Sequence, residues 1–130
     1  MLRNKQYLLP RALIGVMALV MAAATIPAYF NPTMNPGLAS LTGPALLLGQ
    51  TAGAFLGRQL TLILIALIGA YSGQRNLVMI GGFALMVMNG HDAIFMGLMG
   101  GTAVVAVAGL VFAIIAAVAI FLVWRKPAVV

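Results

Sequence analysis

The sequence predicts an all-α integral membrane protein, a four-helix bundle with both termini on the cytoplasmic side. Three observations support this prediction: 64% of the residues are hydrophobic, only 6% are charged, and the mean hydropathy is +1.16. Ordinary soluble domains carry roughly 25% charged residues. A chain of this composition cannot cover itself with polar surface, so a lipid bilayer is its natural solvent.

Four long apolar runs supply the predicted helices. They cover residues 12–30, 50–71, 77–98 and 101–124. Each meets the requirement of about 20 residues, at about 1.5 Å per residue, for a helix that crosses a hydrocarbon core of about 30 Å. The connection 31–49 is rich in proline and glycine, so we expect an irregular outer loop that dips into the interface or caps the bundle. The chain 1–130 is therefore predicted to be a single transmembrane domain.

The cations outside these runs predict the orientation. They lie before the first run, between the second and third, and after the fourth, and they are Arg3, Lys5, Arg11, Arg75, Arg125 and Lys126. Cytoplasmic loops of membrane proteins carry an excess of Lys and Arg, so we expect these three positions on the cytoplasmic side of the cell (inner) membrane. The cations are too few and too scattered to predict a nucleic-acid partner, although the pI is near 11.

The first run leaves an alternative open. A basic start, an apolar stretch and the alanines at 22–24 resemble the three regions of a cleaved signal peptide. However, the apolar stretch continues to Phe30, beyond the about 7–15 residues typical of such a segment. We therefore expect the first run to be retained as a transmembrane helix.

The composition excludes several kinds of chemistry. The chain has no cysteine, one histidine and one acidic residue. Disulfides and thiolate sites are thus excluded, and one His and one Asp cannot form a protein-only zinc site or a catalytic carboxylate pair. No metal, cofactor or catalytic residue is predicted. The nine methionines are expected to fill space in an apolar bundle rather than to bind copper.

Two charged residues inside the runs carry the most specific prediction. Arg58 and Asp92 would each cost about 2.5–3.5 kcal/mol at the centre of a transmembrane helix, so each needs a partner. In the predicted topology they lie at nearly the same depth on sequential antiparallel helices. We therefore predict an Arg58–Asp92 ion pair in the outer half of the bundle.

Further polar residues surround this predicted pair. Asn89 shares a helical face with Asp92, whereas Gln59 and His91 flank the pair and Gln50 stands at the outer mouth. Together they predict a polar cavity, which is either a structural clamp between two helices or a binding site for a ligand. Intramembrane ionisable residues usually mark such sites. An ion or proton path is a third alternative.

Small residues predict close packing at the start of the second run. Gly49, Gly53 and Gly57 recur at every fourth position. This spacing lets helix backbones approach closely where lipid gives no hydrophobic drive for association. The glycines are expected either to pack within the bundle or to form the seam of a homodimer or larger membrane complex.

A family resemblance rests on residues 57–95, GRQLTLILIALIGAYSGQRNLVMIGGFALMVMNGHDAIF. An arginine begins the second span, a basic turn follows, and a span of small residues ends in Asn and Asp. Through Arg58, Arg75, Asn89 and Asp92, the segment resembles the DoxX-like group of small four-helix bacterial membrane proteins, most of which are uncharacterised. The founding members are linked to quinone-coupled thiosulfate oxidation, so the resemblance implies a lipophilic quinone as a candidate ligand.

Three functional hypotheses follow. The first is a non-enzymatic membrane protein, either an accessory subunit or a binder of a lipophilic small molecule in the predicted cavity. The second is a quinone-linked redox subunit or enzyme with His91 as acid or base. The third is a small dimeric transporter. Small multidrug exporters share the four-span plan, but their functional acid lies in the first span, and residues 12–30 contain none.

Overall fold

A computed structural model describes residues 5–126 and contains four long helices. They are α1 (Leu8–Thr25), α2 (Thr51–Ser72), α3 (Arg75–Leu98) and α4 (Ala103–Trp124). All four are long and apolar enough to cross a membrane. The predicted all-α fold with four such helices is confirmed. Arg3, one of the predicted orientation signals, lies outside the described residues.

The boundaries of α1 differ most from the predicted run. The helix begins four residues earlier than residue 12, and Pro10 fits its first turn because the first N–H groups of a helix need no intrahelical partner. It ends at Thr25 because Pro27 has no N–H to continue the hydrogen-bond ladder. A short 3-10 helix, Pro27–Tyr29, carries the chain onward. Arg11, which the sequence predicts to flank the helix, therefore lies within it.

The helices form an up-and-down bundle in which each packs against the next and α4 returns to α1. Gly82 of α3 lies against both Ile14 of α1 and Ile120 of α4. The start of α1, the 73–74 turn and the end of α4 thus share one end of the molecule, which we call the terminal end. The connection 31–49 lies at the opposite end, the loop end. The core between them contains Ile14, Ile63, Val78, Leu85, Ala116 and Val123.

Glycines allow the closest helix contacts. A Cβ atom on Gly109 of α4 would lie 2.7 Å from the carbonyl oxygen of Asn89 and 3.1 Å from the nitrogen of Ala93. A Cβ atom on Gly81 of α3 would lie 2.9 Å from the Cα of Ala66. Backbone atoms cannot move aside as a flexible side chain can, so any larger residue would separate the helices.

The three glycines singled out by their spacing do not have this role. A Cβ atom on Gly49 or Gly57 would meet nothing within 4 Å, and Gly53 lies against the backbone of Leu48, in the turn that precedes α2. They do not join helices within the bundle. A homodimer or larger complex through Gly49, Gly53 and Gly57 stays a prediction.

The connection 31–49 folds back onto the bundle. It contains three short 3-10 helices, Pro32–Met34, Pro36–Leu38 and Gly43–Leu46. Asn31 and Asn35 begin the first two, and each side chain accepts a hydrogen bond from the backbone N–H two residues later. A second, smaller core forms here from Ala28, Leu38, Ala52 and Leu56. The connection therefore covers the loop end of the bundle with this second core.

Much of the surface of the helices is apolar. Large hydrophobic side chains are exposed on all four, including Val16, Leu19, Leu64, Ile68, Ile80, Phe83, Val107 and Ile114. Soluble monomers rarely expose contiguous apolar patches larger than a few hundred Å². This surface is typical of helices that face an apolar solvent.

Candidate functional site

Gln59 of α2 is the centre of a partly buried hydrogen-bond network near the loop end. Its Oε1 accepts hydrogen bonds from Asn35 Nδ2 and Thr25 Oγ1, both at 3.0 Å. The Thr25 hydroxyl also lies 2.8 Å from the carbonyl oxygen of Met21, and its single proton can be donated to only one of the two acceptors at a time. The network ties α1, the connection and α2 together.

The orientation of the Gln59 amide follows from that of Asn35. Asn35 Oδ1 accepts from the N–H of Gly37 at 2.9 Å, so its Nδ2 must face Gln59, which in turn presents its oxygen. The Gln59 Nε2 group is then left without a hydrogen-bond partner among residues 5–126 and remains accessible. Gln59 lines two neighbouring cavities, so this donor is available to a bound molecule.

The first cavity, which we call the α1–α4 cavity, has a volume of about 140 Å³. Its polar lining consists of Asn35, Gln59, Asn89 and Asp92, and its apolar lining includes Val20, Val104 and Phe112. Asn89 Nδ2 donates to the Leu85 carbonyl oxygen at 2.8 Å and lies 3.6 Å from Met21 Sδ. This cavity is large enough for a few water molecules or a small polar group.

The second cavity, the α2–α3 cavity, is larger, at about 390 Å³. Its polar side chains are Arg58, Gln59, His91 and Asp92, and its apolar walls include Phe55, Leu62, Phe83, Val87 and Met88. Sites for small molecules usually measure about 300–1,000 Å³ and combine apolar walls with a few polar groups. Phe83 and Val87 are also exposed on the surface of the bundle, so the cavity opens sideways onto an apolar face.

The predicted Arg58–Asp92 ion pair is not found. Arg58 is exposed, and its Nε donates to the carbonyl oxygen of Ala54 in its own helix at 3.3 Å. Among residues 5–126, the basic side chain within 4 Å of Asp92 is His91, with Nδ1 and Oδ1 3.4 Å apart. Arg58 and Asp92 nevertheless line the same cavity. Depth does not determine where a side chain points around its helix, and here Arg58 turns back along α2.

His91 and Gln50 lie at the edge of this region or beyond it. His91 is 63% exposed, and its ring stacks on Phe95 with centroids 4.4 Å apart, so it belongs to the rim of the α2–α3 cavity. Gln50 is exposed, immediately precedes α2 and lines neither cavity. Of the six predicted cluster residues, the structure brings five around the two cavities: Arg58, Gln59, Asn89, His91 and Asp92.

Two buried polar residues of this region were missed by the sequence reasoning. Asn35 is 2% exposed and Thr25 is fully buried, and both bind Gln59. A signal for Asn35 is visible in NPTMNPG (31–37), because an Asn before proline often begins a turn held by its own side chain. Nothing in the sequence indicates that this turn is tucked inside the bundle.

Arg11 has a structural role at the opposite end that the sequence did not indicate. It is only 6% exposed, its Nε donates to the Ala70 carbonyl oxygen at 2.7 Å, and Nη2 donates to the Tyr71 carbonyl oxygen at 3.1 Å. The last carbonyls of a helix have no intrahelical partner, and cations are favourable there. Gly73, with φ of +68°, ends α2 and leaves room for the guanidinium. Arg11 therefore caps α2 from α1.

Searches against protein-family models, curated proteins and solved structures found no match to this chain. The resemblance to the DoxX-like group stays a prediction. Within residues 5–126, no group of three or more His, Asp or Glu side chains is placed to hold a metal ion.

Proposed function

We propose that this protein is an integral protein of the cell (inner) membrane that binds a lipophilic molecule with a polar head group in the α2–α3 cavity. The observation that supports this best is that two opposite charges and largely apolar walls occur together in one cavity. Arg58 and Asp92 line it without forming an ion pair with each other, and the remaining walls are largely apolar. The proposal assigns a binding role, as a lipid-binding or accessory subunit, with no chemical step.

The distribution of cations supports the membrane orientation in this proposal. Within the described residues, Lys5, Arg11, Arg75, Arg125 and Lys126 lie at or near the terminal end, where α1 begins and α4 ends. An excess of Lys and Arg favours the cytoplasmic side. We therefore place both termini in the cytoplasm, and both cavities in the outer half of the bilayer.

The energetics favour an occupied cavity. An unpaired charge within a membrane costs about 2.5–3.5 kcal/mol on insertion scales, and neither Arg58 nor Asp92 neutralises the other by direct contact. A polar head group in the cavity would supply hydrogen bonds to one or both. The lateral opening beside Phe83 and Val87 would let the apolar part of the ligand remain in the lipid. A quinone, the ligand implied by the family resemblance, meets these requirements in part, as an acceptor for Arg58 or Gln59.

Native mass spectrometry of the protein purified in mild detergent tests the proposal. The wild-type protein is expected to carry a lipophilic molecule that extraction with organic solvent identifies. Ala84 lines the cavity, so Ala84→Phe should fill it and remove the bound molecule. Ala117→Phe is the matched control, since Ala117 is exposed on α4 and lines neither cavity. A wild-type protein free of any bound amphiphile, or equal occupancy in both variants, would contradict the proposal.

A further inference from the structure

We infer that the head group bound in the α2–α3 cavity is zwitterionic, with a phosphate at Arg58 and a primary ammonium at Asp92, as in a phosphatidylethanolamine of the outer leaflet. The inference rests on the proposed function and specifies its ligand. It comes from the finding that the two opposite charges line one cavity and yet do not form an ion pair.

Arg58 provides the anion-binding side of the cavity. Only its Nε is engaged, with the Ala54 carbonyl, and the terminal nitrogens donate to no group among residues 5–126. A guanidinium presents its N–H groups as a planar fork that matches the oxygens of a phosphate. The neighbouring Gln59 Nε2 is also unpartnered within the described residues and can donate to a further phosphate or ester oxygen. Two donors on one helix thus line the same cavity.

Asp92 provides the cation-binding side. It is the only acidic residue of the chain, and its side chain is 23% exposed. Oδ1 lies 3.4 Å from His91 Nδ1, whereas Oδ2 accepts no hydrogen bond from residues 5–126 and is not enclosed. A primary ammonium has three donors and no acceptor, so a carboxylate oxygen with free lone pairs is its natural partner. The carboxylate is therefore placed to bind an ammonium group.

The combination of charges selects against singly charged ligands. A purely anionic head group at Arg58 would bring a second negative charge close to Asp92, and a purely cationic one at Asp92 would face Arg58. Such repulsion is strong where the dielectric constant is low. A zwitterion satisfies both charges and adds no net charge. The exposed apolar rim at Phe83 and Val87 favours a lipid over a water-soluble zwitterion, because acyl chains can extend across it.

The test measures binding of three dioleoyl lipids to the full-length protein in detergent by native mass spectrometry. Phosphatidylethanolamine carries both charges, N-acetyl-phosphatidylethanolamine keeps the phosphate but lacks the ammonium, and phosphatidylglycerol is anionic. A hydrogen bond to a charged group contributes about 1.5–3 kcal/mol, which corresponds to roughly tenfold or more in Kd. We expect phosphatidylethanolamine to bind about tenfold more tightly than either anionic lipid.

Two variants and one control separate the contributions. Asp92→Asn should weaken phosphatidylethanolamine about tenfold and leave the other two lipids unchanged or more tightly bound, because the repulsion from the carboxylate is removed, so that the preference is lost. Arg58→Gln should weaken all three, since each carries a phosphate. Arg125→Gln, at the terminal end and distant from the cavity, should leave all three affinities unchanged. Circular dichroism checks the fold of each variant, and the ranking of the three lipids by the wild-type protein tests the inference even where a variant does not fold.

The results distinguish this inference from the proposed function. Equal affinity of the wild-type protein for phosphatidylethanolamine and its N-acetyl derivative would overturn the inference, as would an equal loss of all three lipids in Asp92→Asn. If a quinone or another neutral amphiphile occupies the cavity and phosphatidylethanolamine does not displace it, the inference fails and the proposed function stands. If no amphiphile binds at all, both fail.

Discussion

Replacing Arg11 by lysine separates the two roles that a cation at this position can have. A topology signal needs only positive charge near the cytoplasmic side, which lysine keeps. The cap on α2 needs two N–H groups held in a fork, because Arg11 reaches both the Ala70 and Tyr71 carbonyl oxygens. Lysine presents a compact ammonium that cannot reproduce the fork. The substitution therefore keeps the charge and removes part of the cap.

The structure gives the expected size of the effect. A hydrogen bond to a charged group contributes about 1.5–3 kcal/mol. Arg11 is 6% exposed, so water compensates only slightly for a lost bond. With one of its two bonds lost, Arg11→Lys should lower the free energy of unfolding by about 1.5 kcal/mol. Arg11→Met, which loses both bonds, should lower it by about 3 kcal/mol.

Reversible unfolding by SDS in mixed micelles, followed by far-UV circular dichroism and the fluorescence of Trp124, measures these differences. Arg125→Lys is the matched control. Arg125 lies at the same end of the bundle but is exposed, with its guanidinium over the Phe121 ring at 5.3 Å, a contact that an ammonium can also make. Its replacement should change stability by less than about 0.5 kcal/mol.

A second substitution tests the geometry of the cap. A Cβ atom on Gly73 would lie 3.0 Å from Arg11 Cζ and Nη1, and the residue has φ of +68°, which disfavours alanine. Gly73→Ala should therefore cost about 1–2 kcal/mol and should be less harmful when Arg11 is already lysine. If Arg11→Lys is as stable as Arg125→Lys, or if the Gly73 and Arg11 effects simply add, Arg11 serves as a topology signal and the capping argument is refuted.

Other predictions concern the packing of the helices and the polar network. Gly109→Ala should destabilise the bundle by about 1–3 kcal/mol, because its Cβ would meet the Asn89 backbone at 2.7 Å, whereas Gly57→Ala, with nothing within 4 Å, should be neutral or slightly stabilising in the same SDS titration. Equal losses would show that the close contact is absent. Asn35→Ala and Gln59→Leu remove the two ends of one partly buried hydrogen bond, so a double-mutant cycle should give a coupling of about 1 kcal/mol, and strict additivity would show that the bond is not formed.

Hydropathy was sufficient to predict four helices that are long and apolar enough to cross a membrane. The runs differ from the observed helices by a few residues, and Arg58 and Asp92 line one cavity. The ion pair could not be predicted in the same way. Depth follows from residue number along a helix, but the direction of a side chain depends on how each helix is rotated about its axis. That rotation is set by packing against the other helices. Because α4 is apolar on all sides, its sequence does not specify which of its faces packs against the bundle.

The buried polar residues show a second limit of sequence reasoning. Arg11 resembled the other flanking cations, and its burial depends on the free carbonyls at the end of α2, far away along the chain. Asn35 lies in a segment whose turns are visible in the sequence, but its position against Gln59 results from the way the whole connection folds back. In both residues the decisive partner lies on another element. Local patterns carry no information about such partners.

The Arg11 cap has a consequence for how the chain is synthesised. Arg11 is synthesised as part of α1, but its two acceptors are 59 and 60 residues later in the sequence. At about 5–20 residues per second, the guanidinium waits roughly 3–12 seconds for its partners. α1 and α2 are therefore expected to leave the translocon as a hairpin, docked before α4 is made. Cross-linking of α1 to α2 in ribosome-stalled chains that lack α4 would reveal this early docking. Arg11→Lys should delay the docking.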